Sequence, residues 1–311
     1  MDRAPLLEDV AAAPEGGVAY WLVAADGVRL RIGAWRHAGA RGTVLLFPGR
    51  TEYVEKYGPA AAELRARGYA MLAIDWRGQG LADRLLPDRD IGHVRRFSDY
   101  QLDVSAMLAA AQALDLPRPF HLIGHSMGGC IGLRALVRGL AVRSAVFSAP
   151  MWGIRIAPLR RPLAWTVSTL SRATGQGHRL TPSTFPESYV SIAPFEGNML
   201  TTDPEMFALM KRQIEAHPAL SLGGPSLHWL NEALIEARAL RLRASPPYPV
   251  LAMLGTEEKV VEPAAVHQRM GRWPGGRLEL IPGAEHEVMM ERPSVRARFY
   301  DAACALFKAN G

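Results

Sequence analysis

The sequence has few of the features that mark secreted, membrane-spanning or disordered proteins. Its two cysteines, Cys130 and Cys304, lie far apart and match neither a disulfide framework nor a zinc motif, so we expect a reducing compartment. No segment reaches the roughly 18 uninterrupted apolar residues of a membrane-spanning helix. The first residues include acids and no long apolar run, which argues against a signal peptide. With 49% hydrophobic and 21% charged residues among 311, the composition is that of a globular protein.

Lysine is also scarce, although the formal net charge is +6. The basic residues are almost all arginines, and they are scattered along the chain without a nucleic-acid-binding motif. We interpret the positive charge as compositional bias and expect no nucleic-acid partner. The lysines are Lys56, Lys211, Lys259 and Lys308.

Apolar runs alternate with helical patterns over most of the chain, which predicts an α/β fold with a mostly parallel central sheet and helices on both faces. A hairpin centred on Asp26-Gly27 precedes this alternation. The predicted core strands are Thr43–Gly49, Tyr69–Asp75, Phe120–His125, Ser144–Pro150, Pro249–Gly255 and Arg277–Gly283.

The alternation stops after Pro150 and resumes at Pro249. The residues between have a helical character interrupted by prolines and glycines, which favours an insertion after one core strand over a separate tandem domain. We therefore expect a first part of the core over residues 1–150, a helical cap over 151–248 and a second part of the core over 249–311.

The pentapeptide Gly124-His125-Ser126-Met127-Gly128 is the most informative motif. It follows a predicted buried strand and opens a predicted helix, which is the context that a nucleophile elbow requires. The glycines leave room for a strained turn, and the serine hydroxyl is then exposed at the amino end of the helix. Ser126 is the predicted nucleophile.

A serine nucleophile needs a base and a carboxylate that orients the base. In folds with this elbow the chain order is serine, acid, histidine. His286 lies between the last predicted strand and the last helix and is the predicted base. Glu258 follows the strand that ends at Gly255 and is our preferred acid, with Glu257 a competitor and Glu262 a weaker one.

A tetrahedral intermediate also requires donors for its oxyanion. The backbone N–H of Met127, directly after the nucleophile, is one predicted donor. The second is expected from the turn over residues 48–51, where the backbone N–H of Arg50 is the best candidate on topology.

These motifs resemble the α/β-hydrolase family, and within it the branch of monoacylglycerol lipases and bacterial lysophospholipases. The likeness spans nearly the whole chain. The segments that carry it are FPGRTEYVEKY, IDWRGQGLADR, GHSMGG, AMLGTEEKVVEP and IPGAEHEVMMER.

The resemblance implies Ser126 as nucleophile, Glu258 as acid, His286 as base and the amides of Arg50 and Met127 as oxyanion donors. It also implies a cap over residues 151–248. Two positions depart from the family pattern, because Pro48 replaces the usual histidine and Glu258 replaces the usual aspartate. The longer side chain of a glutamate keeps Glu257 open as the acid.

The first stretch of the expected cap, Met151–Leu170, mixes apolar and aromatic residues with Arg155, Arg160 and Arg161. Such a surface suits an anionic membrane, whereas the plainer interpretation is a helix whose apolar face covers the core. We expect a carboxylic-ester hydrolase for single-chain lipids, without metal or cofactor. We expect a cytoplasmic location, with peripheral contact to the inner membrane face as an additional hypothesis.

Three other functions are compatible with parts of this pattern. A small-ester esterase, thioesterase or peptidase would use the same triad and is the main alternative. A dehalogenase is disfavoured, because its nucleophile would be an aspartate where Ser126 stands. A non-catalytic binding protein is the weakest alternative, since every triad member is present.

Overall fold

The structure, a computed structural model, describes residues 1–311 and has a nine-stranded sheet at its centre. The strand order is β1-β2-β3-β5-β4-β6-β7-β8-β9; β1, β2 and β3 run antiparallel to their neighbours, and the remaining pairs are parallel. The predicted mostly parallel α/β sheet is confirmed. The strands are β1 Arg3–Ala4, β2 Gly17–Val23, β3 Arg29–Trp35, β4 Thr43–Phe47, β5 Ala70–Asp75, β6 Phe120–His125, β7 Ala145–Ser148, β8 Val250–Gly255 and β9 Arg277–Ile281.

Ten α-helices and five short 3₁₀-helices surround this sheet. The α-helices are α1 Glu8–Ala11, α2 Gly58–Ala66, α3 Tyr100–Ala113, α4 Met127–Val137, α5 Arg161–Ala173, α6 Tyr189–Ile192, α7 Pro204–Ala216, α8 Leu227–Arg241, α9 Pro263–Met270 and α10 Pro293–Ala309. The 3₁₀-helices are Val54–Tyr57, Phe97–Asp99, Pro158–Arg160, Pro218–Leu220 and Val288–Met290.

The central strands are buried on both faces because helices cover each side of the sheet. Successive side chains of a strand point to opposite faces, and accordingly Leu45 of β4 belongs to one hydrophobic core while Leu46 belongs to the other. The first core includes residues of α3, α4 and α8, and the second includes residues of α2 and α10. This two-sided burial explains why the sequences of the central strands are continuous apolar runs.

Two local details differ from the sequence prediction. The sequence pattern over Val54–Gly68 predicts a single helix, whereas the structure begins there with a 3₁₀ turn and becomes α-helical only at Gly58. The two-residue strand β1 was not predicted, because its pairing with β2 depends on a contact outside the local sequence.

Helices α5 to α8 lie between β7 and β8, in the segment 151–248 that we call the cap. Its division from the core remains our interpretation of this connectivity. The structure contradicts the plainer interpretation of the first cap helix. Leu159, Leu163 and Leu170 are 96%, 62% and 58% exposed, whereas Ser168 and Ser171 of α5 are buried. The leucines therefore face outward rather than cover the core.

None of the helices combines the length and the apolar character needed to cross a lipid bilayer.

Candidate active site

Ser126 occupies a strained turn between β6 and α4. Its backbone has φ 48° and ψ −117°, a conformation that side-chain-bearing residues rarely adopt. The neighbouring glycines make this turn possible: a Cβ at Gly128 would lie 2.0 Å from the carbonyl oxygen of Phe47, and one at Gly124 would lie 3.0 Å from that of Gly128. The G-x-S-x-G pattern therefore has a steric cause in this fold.

The two predicted oxyanion donors are backbone amides that have no hydrogen-bond acceptor within the protein. Met127 is the first residue of α4, where N–H groups have no partner within the helix. Neither its amide nor that of Arg50 donates a hydrogen bond to another protein group. The turn that carries Arg50 is anchored from behind, because Trp76 Nε1 donates to Pro48 O at 2.9 Å and Gln79 Nε2 donates to Gly49 O at 2.8 Å.

Glu258 and His286 form a buried pair. His286 Nδ1 lies 2.7 Å from Glu258 Oε2, and the Val261 amide donates to Glu258 Oε1 at 2.9 Å. Burial alone would raise the pKa of Glu258, but the charge of His286 and the hydrogen bonds from His286, Val261 and Val260 hold that pKa below its ordinary value. The carboxylate is therefore ionised and fixes the proton on Nδ1 of the imidazole.

The two competing acids lie elsewhere. Glu257 is exposed and reaches only the hydroxyl of Thr256, and Glu262 is half-buried beside Gly153. The approach of Glu258 to the histidine loop depends on Gly255, where a Cβ would lie 2.1 Å from the carbonyl oxygen of Ala284. Of the three carboxylates, only Glu258 contacts His286.

Ser126 and His286 open onto one cavity of about 420 Å³ between the core and the cap. Neither Ser126 Oγ nor His286 Nε2 has a protein hydrogen-bond partner, and such bonds often close only when substrate is bound. More than half of the lining residues are apolar. The apolar lining from the cap and its margins includes Met151, Ile154, Met199, Leu200, Ile214 and Leu230.

A buried charge cluster lies directly beside this pair, and the sequence analysis did not identify it. Lys56 Nζ lies 2.7 Å from Glu52 Oε1 and 2.6 Å from Glu287 Oε1. His125 Nε2 lies 3.2 Å from Glu287 Oε2 and 3.4 Å from Glu52 Oε1. Glu52 thus lies beside His125, which precedes the predicted nucleophile, and shares Lys56 with Glu287, which follows the predicted base.

Hydrogen bonding fixes the protonation of this cluster. His125 Nδ1 lies 3.1 Å from the carbonyl oxygen of Ser148, which requires a proton on Nδ1. Burial would lower the pKa of His125, but the carboxylates of Glu287 and Glu52 facing Nε2 raise it above its ordinary value. Despite desolvation, His125 and Lys56 hold the pKa of Glu287 well below its usual range.

The ligand atoms of Glu52, His125 and Glu287 lie within 4.8 Å of one another, close enough for a metal site. However, the ammonium of Lys56 already lies between the two carboxylates and contacts both of them, at the place where a cation would bind. The donor set therefore does not fit a resident metal ion.

The cap also holds the histidine loop through its backbone. The amide of Glu287 donates to Leu200 O at 2.7 Å, and that of His286 donates to Met199 O at 3.4 Å. The position of the candidate base thus depends on the cap as well as on β9.

Comparison with known proteins identifies the family. The model of the hydrolase family described as "Serine aminopeptidase, S33" matches residues 38–293. The chain belongs to this family. Probable lysophospholipase L2 of Haemophilus influenzae is 31% identical over 85% of this chain and 84% of its own length. Lysophospholipase L2 of Escherichia coli strain K12 is 30% identical over 88% of this chain and 82% of its own length.

Solved structures agree on the α/β-hydrolase fold. A soluble variant of monoglyceride lipase from Saccharomyces cerevisiae superimposes with a TM-score of 0.71 at 20% identity, covering 93% of this chain and 95% of that one. The expected resemblance to the lysophospholipase and monoacylglycerol lipase branch is confirmed by the sequence relatives, and the chain is an ester-hydrolysing enzyme.

The structure places Ser126, His286 and Arg50 around one cavity. Glu258 hydrogen-bonds to His286, and Met127 directly follows Ser126 at the start of α4. Sequence reasoning missed the charge cluster, although its members adjoin predicted site residues: His125 precedes Ser126, and Glu287 follows His286. The sequence signal that could have identified the cluster is this adjacency, together with the position of Glu52 two residues beyond Arg50.

Proposed function

We propose that this hydrolase releases fatty acid from single-chain lipids, the lysophospholipids or monoacylglycerols. Ser126, Glu258 and His286 act as the triad, and the Arg50 and Met127 amides form the oxyanion hole. The observation that carries the proposal is the Glu258–His286 hydrogen bond of 2.7 Å in the same cavity as a strained Ser126. The relatives named as lysophospholipases support the substrate class.

In the proposed reaction, Ser126 Oγ attacks the ester carbonyl while His286 Nε2 takes its proton. The carbonyl oxygen becomes an oxyanion that accepts hydrogen bonds from the two free amides. His286 then gives the proton to the departing alcohol, and an acyl-enzyme remains. Water activated by the same histidine releases the fatty acid, and no cofactor takes part.

The lining of the cavity favours a lipid over a peptide. A single acyl chain is matched by an apolar lining, and the cap supplies such side chains from Met199, Leu200 and Leu230. The main alternatives are a small-ester esterase, a thioesterase and a peptidase, since each would use the same triad. The family description includes an aminopeptidase, so a peptide substrate belongs in the first test.

The deciding experiment measures product release from lysophosphatidylcholine, monoacylglycerol, a diacyl phospholipid, a short aryl ester, an acyl thioester and an aminoacyl anilide. We expect preference for the single-chain lipids. Ser126→Ala should lower turnover by about 10³-fold or more, because triad members act as a unit.

Ser105→Ala is the matched control, since Ser105 is exposed on α3. Cleavage of the aryl ester alone would retain the triad and reject the lipid substrate. Full activity in Ser126→Ala would reject the triad itself.

The outward leucines of the cap support a second part of the proposal, peripheral contact with an anionic membrane. Leu159 and Leu163 are exposed beside the exposed Arg155, Arg160 and Arg161, and this mixture suits the interface of an acidic bilayer. We place the enzyme in the cytoplasm, at the inner membrane face.

Vesicle sedimentation tests this contact. We expect binding to vesicles that contain phosphatidylglycerol and weaker binding for Leu159→Ser/Leu163→Ser. Leu242→Ser, an exposed leucine after α8, is the control. Equal binding by all three proteins would reject the leucine surface as the contact.

A further inference from the structure

Arg50 lines the active-site cavity, and its side chain has almost no polar partner within the protein. Its only hydrogen bond within the protein runs from Nη1 to Gly223 O, at 2.8 Å. The guanidinium carbon lies 5.6 Å from the ring centre of Trp229, in cation–π range. The Nε and Nη2 groups donate to no protein acceptor. A forked donor thus remains available within the cavity.

No carboxylate lies within ion-pair distance of this guanidinium, which sets it apart from the other cation at the cavity. Lys56 contacts two carboxylates, whereas Arg50 contacts none. A desolvated, unpaired cation is unfavourable in a protein, and desolvation lowers the pKa of Arg50 to about 10. Arg50 is still protonated at neutral pH, so the cavity presents a positive charge without a counter-ion.

The core and the cap together hold the guanidinium in place. A Cβ at Gly92 would lie 3.0 Å from Arg50 Nη1, so the glycine leaves room for the side chain. Around it, the Gly92 amide donates to Gly224 O at 2.9 Å, and the Ser226 amide donates to Gly92 O at 2.8 Å. Because these bonds link the core loop to the cap segment that supplies Gly223, the guanidinium is positioned before any ligand binds.

The covalent geometry relates this charge to the reaction centre. About six bonds separate the backbone nitrogen of an arginine from its guanidinium carbon, and about six separate the ester carbonyl carbon of a lysophospholipid from its phosphorus. If the ester lies against the Arg50 amide, a substrate phosphate is within reach of the Arg50 side chain. A monoacylglycerol has only a hydroxyl at that place.

We propose that the Arg50 guanidinium binds the phosphate of a lysophospholipid and thereby selects phosphate-bearing lipids over monoacylglycerols. This inference rests on the proposed function, because it assumes that the acyl ester lies at Ser126. Arginine suits the role, since its planar fork donates paired hydrogen bonds to phosphate oxygens. One residue then supplies an oxyanion donor through its backbone and a specificity contact through its side chain.

The first test measures selectivity, the ratio of kcat/KM for lysophosphatidylcholine to kcat/KM for a monoacylglycerol with the same acyl chain. Arg50→Met should lower this ratio by about 10- to 100-fold, the effect of losing a hydrogen bond to a charged group. Any change in the oxyanion turn affects both substrates and cancels in the ratio. Arg50→Lys, which keeps the charge but not the fork, should lie in between.

Arg138→Met is the matched control, because Arg138 is exposed at the far end of α4 from Ser126. Its ratio should equal that of the wild type. An unchanged ratio in Arg50→Met would overturn the proposal, as would an equal decrease in Arg138→Met.

The second test measures binding without chemistry, so that it distinguishes failure of this inference from failure of the proposed function. In the Ser126→Ala background, a decyl ether lysophosphatidylcholine and decyl glycerol ether are titrated below their micelle concentrations. Calorimetric titration measures this binding, and intrinsic tryptophan fluorescence is a second readout, since Trp229, one of seven tryptophans, lies beside the guanidinium. We expect about 10- to 100-fold tighter binding of the phosphate-bearing ether, lost on Arg50→Met.

Glycerophosphocholine, which has the phosphodiester but no alkyl chain, completes the set. We expect it to bind far more weakly than the lysophospholipid ether; equal affinity would mean that the site serves a free phosphodiester and would overturn the lipid assignment. If the wild type cleaves neither lipid while the ether still depends on Arg50, the proposed reaction fails and the phosphate site stands.

Discussion

Two histidine–carboxylate pairs lie side by side at the carboxyl edge of the sheet, with their imidazole rings 4.9 Å apart between centres. In one pair His286 contacts Glu258, and in the other His125 contacts Glu287. The pairs contain the same residue types but differ in the second ring nitrogen. His286 Nε2 is free at the cavity, whereas both nitrogens of His125 face protein acceptors.

This difference in the second ring nitrogen suits His286 to proton transfer and His125 to structural support. A base needs one imidazole nitrogen fixed by a carboxylate and the other available to the nucleophile, a condition that only His286 meets. His125 is enclosed by protein acceptors, and the carboxylates of Glu287 and Glu52 raise the pKa of its imidazole. Proximity to the nucleophile therefore does not by itself identify the base.

The largest expected effect comes from the cavity-facing pair. Glu258→Gln keeps the shape of the side chain but removes the charge that fixes the His286 tautomer, and we expect kcat to fall by about 10⁴-fold. Steady-state turnover of the preferred lipid measures this. Glu257→Gln is the control and should retain wild-type turnover; a larger loss in that variant would reassign the acid.

Removing Lys56, the partner of Glu287 in the second pair, should affect stability more than turnover. Lys56→Met leaves the carboxylates of Glu52 and Glu287 without their ammonium partner, and we expect a loss of about 3–5 kcal/mol in the free energy of unfolding. Denaturant titration measures this loss. Lys211→Met, at an exposed ion pair in α7, should change stability by less than about 1 kcal/mol. If the two variants were equally stable, the cluster would not be a structural element.

The smallest expected effect is a pH dependence of stability. The raised pKa of His125 means that its contribution is complete below its unfolded-state pKa and is lost as pH rises through the folded-state value. Glu287, whose pKa is lowered, contributes above its unfolded-state pKa and loses that contribution at acidic pH.

Thermal unfolding between pH 6 and pH 9 should therefore show a fall in Tm that is absent in His125→Asn. His37→Asn is a control, since His37 is outside the cluster and should retain the wild-type slope. A His125→Asn profile parallel to that of the wild type would exclude His125 as the titrating group.

The features predicted well from the sequence are local ones. The elbow around Ser126 depends on five consecutive residues, and the core strands are short apolar runs, so neighbouring residues contain most of the information. The acid was harder to predict. The choice between Glu257 and Glu258 depends on which way each side chain points after Gly255. Gly255 lies against the carbonyl oxygen of Ala284, a contact between distant residues that the local sequence does not record.

The features missed depend on contacts between distant residues. Lys56 meets Glu287 across 231 positions of sequence, which no local pattern records. The leucines of α5 illustrate a second limit, because a helical apolar stripe predicts a helix without telling whether the stripe faces the core or the solvent. The sequence analysis assigns Arg50 a role through its backbone amide only. The contacts of its side chain, with Gly223 and Trp229, are again contacts between distant residues.

The backbone bonds from His286 and Glu287 to Met199 and Leu200 constrain how this enzyme can diversify. Any amino acid at positions 199 and 200 supplies a carbonyl oxygen, whereas the side chains there line the cavity. New substrate preferences can therefore arise by changing those side chains while His286 stays in place. A cap grafted from a relative must reproduce the path of this backbone segment. Otherwise the hydrogen bonds that hold the histidine loop will be lost, and His286 will be displaced.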